Sequence, residues 1–110
     1  MGGVMRTWSH GSYQIEEGLK PGSSHFQYFY LVLDKGHKKA NYCVWIEDEA
    51  LSRFPSGDFE SVAESQRALW NKWVKNKIDK GDFSNKVLRI SREGEQEIEL
   101  SEMKAHLSMD

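Results

Sequence analysis

The chain has 110 residues, a formal charge of −2 and a single cysteine. That length suits one domain, the lone thiol excludes an internal disulfide framework, and no apolar run approaches the ~20 residues of a membrane-spanning helix. Hydrophobic residues at 38% and charged residues at 29% give a globular rather than a disordered composition, and thirteen aromatics supply much of the bulk for a core.

The opening Met1-Gly2-Gly3-Val4-Met5-Arg6 lacks the apolar stretch of a signal peptide, and Arg6 stands where myristoylation wants Ser or Thr. A cytoplasmic protein is expected. Val4 to Ser9 and Tyr13 to Glu17 are short strands about the turn Ser9-His10-Gly11-Ser12, and Gly18 to Ser24 has loop chemistry. Phe26 to Leu33 is the strongest strand. Both of its faces are mostly apolar, which predicts a central strand covered on both sides. After the turn from Asp34 to Lys39, Asn41 to Ile46 returns, with Tyr42, Val44 and Ile46 on one face and Cys43 and Trp45 on the other.

Asp48 is placed to cap a short helix from Glu49 to Phe54, which Pro55 ends. A long helix from about Glu60 to Lys80 follows. Asp58 can cap it, Ser61 and Glu64 have capping-box spacing, and Gly81 closes it. Its helical repeat places Val62, Gln66, Leu69, Trp70 and Trp73 on one side, with Ala63, Val74 and Ile78 at the edge. Lys86 to Arg92 and Gln96 to Leu100 form the last two strands, and Ile98 and Leu100 mark a buried face against Glu97 and Glu99. Ser101 then caps a short helix in which Met103 and Leu107 pack inward.

The expected fold is a single α+β domain over residues 1–110. Its order is β-β-β-β-α-α-β-β-α, a mostly antiparallel sheet of about six strands with the long amphipathic helix on one face. Short turns favour antiparallel neighbours, and the one crossover is the helical stretch 48–80. In the strand Tyr42-Cys43-Val44-Trp45-Ile46, the segment Glu49-Ala50-Leu51-Ser52-Arg53-Phe54, the helix end Lys77-Ile78-Asp79-Lys80-Gly81 and the strand Val87-Leu88-Arg89-Ile90, residues 41–91 resemble a small bacterial protein family of unknown function. The resemblance implies a fold and carries no activity.

Charge is unevenly spread. Residues 61–92 hold eight Lys/Arg against three acids, whereas residues 93–110 hold Lys104 against six acids. Solvated faces, with Arg89 or Arg92 paired to glutamates of the returning strand, explain this at its simplest. A small nucleic-acid-associated regulator using the basic 67–92 region is the alternative. Glu64 and Asp79 interrupt the basic positions and the isoelectric point is about 6.1, so a nucleic-acid partner is not favoured.

No catalytic constellation emerges. Cys43 reads as a small buried hydrophobe. His37 starts the Cys43 strand but lies about 20 Å away along it, and hairpin pairing sets His25 near Glu47. The histidines at 10, 25, 37 and 106 lack ligand spacing, so neither a metal site nor a cofactor is expected. Glu16 and Glu17 point to opposite faces of their strand and cannot share a proton. The cluster Glu47-Asp48-Glu49 suits a helix start, whose dipole favours negative charge.

The aromatic residues are the unusual feature. Tyr28, Tyr30, Tyr42, Trp45, Trp70 and Trp73, with the Gln66 amide, form either core or an aromatic-lined cleft with polar handles. The leading expectation is a noncatalytic binding or interaction module. It would take a small apolar ligand in that cleft or present a surface to a protein partner, with a homodimer through an edge strand as one form. An enzyme with a dispersed site is the less favoured class.

Overall fold

The computed structural model describes residues 6–21, 25–55 and 58–107. Val4, the predicted loop residues Gly22 to Ser24 and the break at Ser56-Gly57 lie outside these, as do the side chains of His25, His106 and Leu107. One sheet carries β1 (Arg6–His10), β2 (Tyr13–Pro21), β3 (His25–Asp34), β4 (His37–Glu47), β5 (Lys86–Ser91) and β6 (Gly94–Glu99), ordered in space as in sequence. The fold is thus α+β, with a six-stranded, mostly antiparallel sheet.

Between β4 and β5 run a 3₁₀ segment, Asp48–Arg53, and the long helix α1, Phe59–Asp79; α2, Leu100–Leu107, follows β6. Because this crossover returns the chain to the end where β4 began, β5 lies parallel to β4, with Tyr42 beside Lys86 and Ile46 beside Ile90. The other four pairings are antiparallel. No helix among the described residues is long and apolar enough to cross a membrane.

Turn chemistry explains the meander. Gly11 takes φ +63° in the two-residue link from β1 to β2. Lys35 and Gly36 both have positive φ between β3 and β4, the combination a tight hairpin requires. The turn is therefore shorter than the six residues expected, and β4 starts at His37. β2 also outruns its expected end, because Gly18 to Pro21 pair with Phe26 to Phe29. A bulge between Val32 and Leu33 sets Ala40 opposite Val32 but Lys38 opposite Leu33, so Lys39 is the extra residue.

Helix ends follow capping rules, with departures from the sequence reading. Asp58 accepts from the Ser61 N–H at 3.2 Å, satisfying one of the unpaired donors of the first turn of α1. The Ser61–Glu64 capping box does not form, because Ser61 stands inside the helix that Asp58 caps, and Glu64 pairs with Arg6. At the other end Gly81 donates to Ile78 O and Asp82 to Lys77 O, with Gly81 at φ +70°, the paired bonds of a Schellman ending. Asp48 is the first residue of the 3₁₀ segment rather than its cap. Likewise α2 begins at Leu100, before Ser101, and Glu102 reaches back to the Glu99 N–H at 3.3 Å.

The main core lies between α1 and one face of the sheet. Ile15, Phe26, Tyr28, Tyr30, Val32, Tyr42, Val44 and Ile46 pack there against Val62, Ala63, Trp70, Val74 and Ile78. The buried arc of α1 is centred on Trp70 and is rotated from the expected stripe. Leu69, expected inside, is 56% exposed, while Ala63 and Val74, expected at the edge, are buried. A second, smaller core occupies the opposite face, where Met103 of α2 packs over Cys43, Trp45 and Val87, with Phe29, Ile98 and Leu100 beside them. Helical cover on that face therefore sits toward β4–β6. Leu31 and Leu33 of β3 are only half-buried, so the strand is not enclosed evenly on both sides.

Candidate functional site

The polar centre of the sheet–helix layer is Glu17. Alternation along β2 points Ile15, Glu17 and Leu19 toward α1, and the Glu17 side chain has 0% exposure. A carboxylate taken from water is tolerable only when donors replace its hydration. Three donors converge on it: the Trp8 indole N–H from β1, the Tyr28 hydroxyl from β3, and Arg67 Nε of α1 at 2.5 Å. Arg67 reaches inward because it follows Ala63 and precedes Trp70 on the same flank of the helix, and its side chain keeps 29% exposure.

These contacts engage the lone pairs that a general base would need. Burial, with the hydrogen bond and charge of Glu17, pushes the Tyr28 hydroxyl up to about 12, so it remains a donor near neutrality. The hydrogen bond to Glu17 likewise raises the Arg67 guanidinium above its ordinary value, against its desolvation. The cluster ties three strands and the helix to one another.

Three further aromatic polar atoms have protein partners. Tyr30 donates to Asn71 Oδ1 at 2.7 Å, Tyr42 to the Asp82 carbonyl, and Trp73 Nε1 to Glu97 at 3.0 Å. Rings meet between the layers: Tyr28 lies 5.5 Å from Trp70 and Tyr42 lies 5.9 Å from Trp73, both at tilted or edge geometry. The structure thus brings Tyr28, Tyr30, Tyr42, Trp70 and Trp73 into one layer. Trp45 is set apart on the opposite face with Cys43. Gln66 stays half-exposed on α1, its amide 3.5 Å from Ser65 Oγ. Among the described residues, no buried side-chain nitrogen or oxygen lacks a hydrogen-bond partner.

Burial raises Tyr30 and Tyr42 as well, Tyr42 to about 12. Raised folded values mean stability fully present below the unfolded value near 10 and lost as pH rises through the folded ones. Tyrosinate absorbance from these three residues should therefore appear together with loss of near-ultraviolet circular dichroism in an alkaline titration. Early ionisation with tertiary structure intact would contradict this.

Cys43 is buried, and desolvation pushes its thiol up to about 12. A thiol so placed is a poor nucleophile. Native protein at mildly alkaline pH should react with a disulfide reagent only at the rate of unfolding, and promptly in denaturant. The register puts His25 opposite Glu47, as the hairpin argument required. Among the described residues no group of three or more His, Cys, Asp or Glu is placed to hold a metal ion.

The charge asymmetry resolves into particular pairs. Arg89 bonds Glu47 of the parallel neighbour at 2.6 Å, not a glutamate of β6 as expected. Lys77 and Lys86 instead take Glu97 and Glu99. Glu97, expected on a wet face, lies on the α1 side between Trp73 and Lys77. Burial pushes its carboxyl up, but those two donors outweigh it and hold the value below the ordinary range.

Glu17, Arg67 and Asn71 escaped the sequence reading. A signal for Glu17 existed in an acid at the middle of the alternation Ile15, Glu17, Leu19. Arg67 likewise shares the i, i+4 and i+3 spacing of Ala63 and Trp70. The fold and site together define an α+β domain with a helix fastened across an antiparallel meander. No family model, curated protein or solved structure matches the chain.

Proposed function

We propose that the chain is a noncatalytic binding module that meets a protein partner through its surface. The single observation behind this reading is the inward commitment of the aromatic polar groups. A ligand in the sheet–helix layer would have to displace Glu17 from Tyr28, Asn71 from Tyr30, or Asp82 from Tyr42. Each displaced donor or acceptor would then have to be re-satisfied. The half-buried row Phe29, Leu31 and Leu33, on the face that α2 covers only toward β4–β6, offers apolar area outside that layer. The resemblance of residues 41–91 to a bacterial family of unknown function belongs to the same proposal and adds no activity to it.

The two forms of binding separate experimentally. Small apolar compounds should leave both the tryptophan fluorescence and the melting temperature unchanged, whereas a cleft would give a rise set by ligand excess over Kd. If the partner is a second copy, sedimentation should show a mass that grows with concentration, reduced by Leu31→Lys. A saturable thermal shift with an apolar compound would reverse the reading.

A further inference from the structure

Lysines that are scattered in sequence meet at one end of the molecule. Lys35 occupies the β3–β4 turn, Lys38 and Lys39 open β4, and Lys75 and Lys80 lie on the last turns of α1 and at its C-cap. Three contacts bring these segments together: His10 Nε2 with Asp79 Oδ1 at 2.7 Å, the Tyr13 and Phe83 rings at 5.3 Å, and Lys39 Nζ at 5.0 Å from the Phe83 ring. All five lysines are exposed, and among the described residues none has a carboxylate within 4.0 Å. Three acids share this end: Asp34 beside the turn, Asp79, which meets His10, and Asp82, which meets Ser84 and Lys77.

The cationic surface therefore takes only Lys75 and Lys80 from the basic 67–92 region of the sequence. Arg67, Lys77, Lys86 and Arg89 from that region are consumed by Glu17, Glu97, Glu99 and Glu47. The bulge at Lys39 adds a second, independent observation. An extra residue in β4 re-aims a side chain out of the strict alternation, and here it lays a lysine stem on Phe83 beside the α1 terminus. Lys75 rests similarly over the Trp8 ring at 5.4 Å. The opposite end carries Asp48, Glu49, Asp58, Glu60, Glu93 and Glu95 against Lys20, Arg53 and Arg92, so its balance is negative. An approaching polyanion would be turned lysine end first.

We propose that this lysine end, built from the β3–β4 turn, the start of β4 and the C-terminus of α1, docks the phosphodiester backbone of a nucleic acid. The Phe83 ring is already covered by Lys39 and Tyr13, so base stacking is not part of the contact and recognition is indifferent to sequence. This surface meets the Phe29–Leu31–Leu33 face at the Leu33–Lys38 pair, so nucleic-acid binding and self-association are read separately.

The test is fluorescence anisotropy of labelled oligo-dT and of a random duplex against the full chain over a salt series. With about five phosphates neutralised, log K should fall against log salt with a slope of about −4 on duplex, so binding weakens about 10²–10³-fold between about 50 and 200 mM salt. A variant with Lys35→Gln, Lys38→Gln, Lys75→Gln and Lys80→Gln replaces only exposed side chains. It should keep its circular dichroism and lose most of the slope, to about −1. Arg92→Gln, at the acidic end, should change neither. Absent binding at low salt, an unchanged slope in the four-lysine variant, or equal displacement by poly-L-glutamate would overturn the proposal, the last pointing to an acidic protein instead. Loss of oligonucleotide binding with any self-association intact would separate this surface from the apolar face.

Discussion

Replacing Trp70 with alanine is expected to lower the free energy of unfolding by about 3–5 kcal/mol, the range for deleting a large aromatic from a packed interior. Trp70 is 1% exposed and stands at the centre of the buried arc of α1, against Tyr28 and between Val62 and Val74. Val74, the buried residue one turn on, and Ala63 are too small to fill the space. A domain of this size would lose roughly 4–8 °C of melting temperature per kcal/mol, so the variant should sit near its unfolding midpoint at modest warmth. Urea denaturation followed by circular dichroism measures it. A loss under about 1 kcal/mol would mean the indole does not fill the core, and the layer between sheet and helix would have to be reinterpreted as open. Leu69→Ala, one position away but 56% exposed, should by contrast change stability by no more than about 0.5 kcal/mol.

Glu17→Ala should be nearly as damaging, at about 3 kcal/mol, for a different reason. The loss is not of packing but of the acceptor for three inward donors, one of them a guanidinium. Breaking a buried ion pair from one side strands the other charge, at about 3–5 kcal/mol. The partial exposure of Arg67 lets water recover some of this, which places the value at the low end. The decisive comparison is a double-mutant cycle. Arg67→Met alone leaves Glu17 at 0% exposure with only neutral donors, whereas Glu17→Gln combined with Arg67→Met removes both charges together. The pair should cost less than the sum of its singles. Strict additivity would show that Glu17 and Arg67 act separately, and the view of the cluster as a unit joining β1, β2, β3 and α1 would fail.

Most of the extended segments were readable because their causes are local. Alternation in 26–33 and 42–46, glycine at 11 and 36, and Asp58 ahead of a helical repeat each act over a few residues. The rotation of α1 was not readable in the same way. A helical wheel weights Leu69 as heavily as Trp70, but adjacent helix positions point about 100° apart, and it is the indole that faces the sheet. Glu17 was missed because its burial depends on donors 9, 11 and 50 residues away in the chain. The gathering of lysines from the β3–β4 turn and the end of α1 likewise exists only once the meander and the crossover are both in place. The pairing of Arg89 with Glu47 follows from the parallel neighbour, which the short-turn argument could not supply for that one strand pair.

That parallel seam divides the molecule by the distance its chain must search. From β1 through β4, each strand is followed by the next after no more than three residues, so closing the meander requires little ordering of intervening chain. Joining Tyr42 to Lys86 requires ordering everything between them, and loop closure of that kind is slow even when it is thermodynamically cheap. The pairings of the first four strands are thus the more local ones. The carboxy-terminal hairpin must wait for α1 to settle, and until it does the hydrogen-bonding edge of β4 stands open to strands from other molecules.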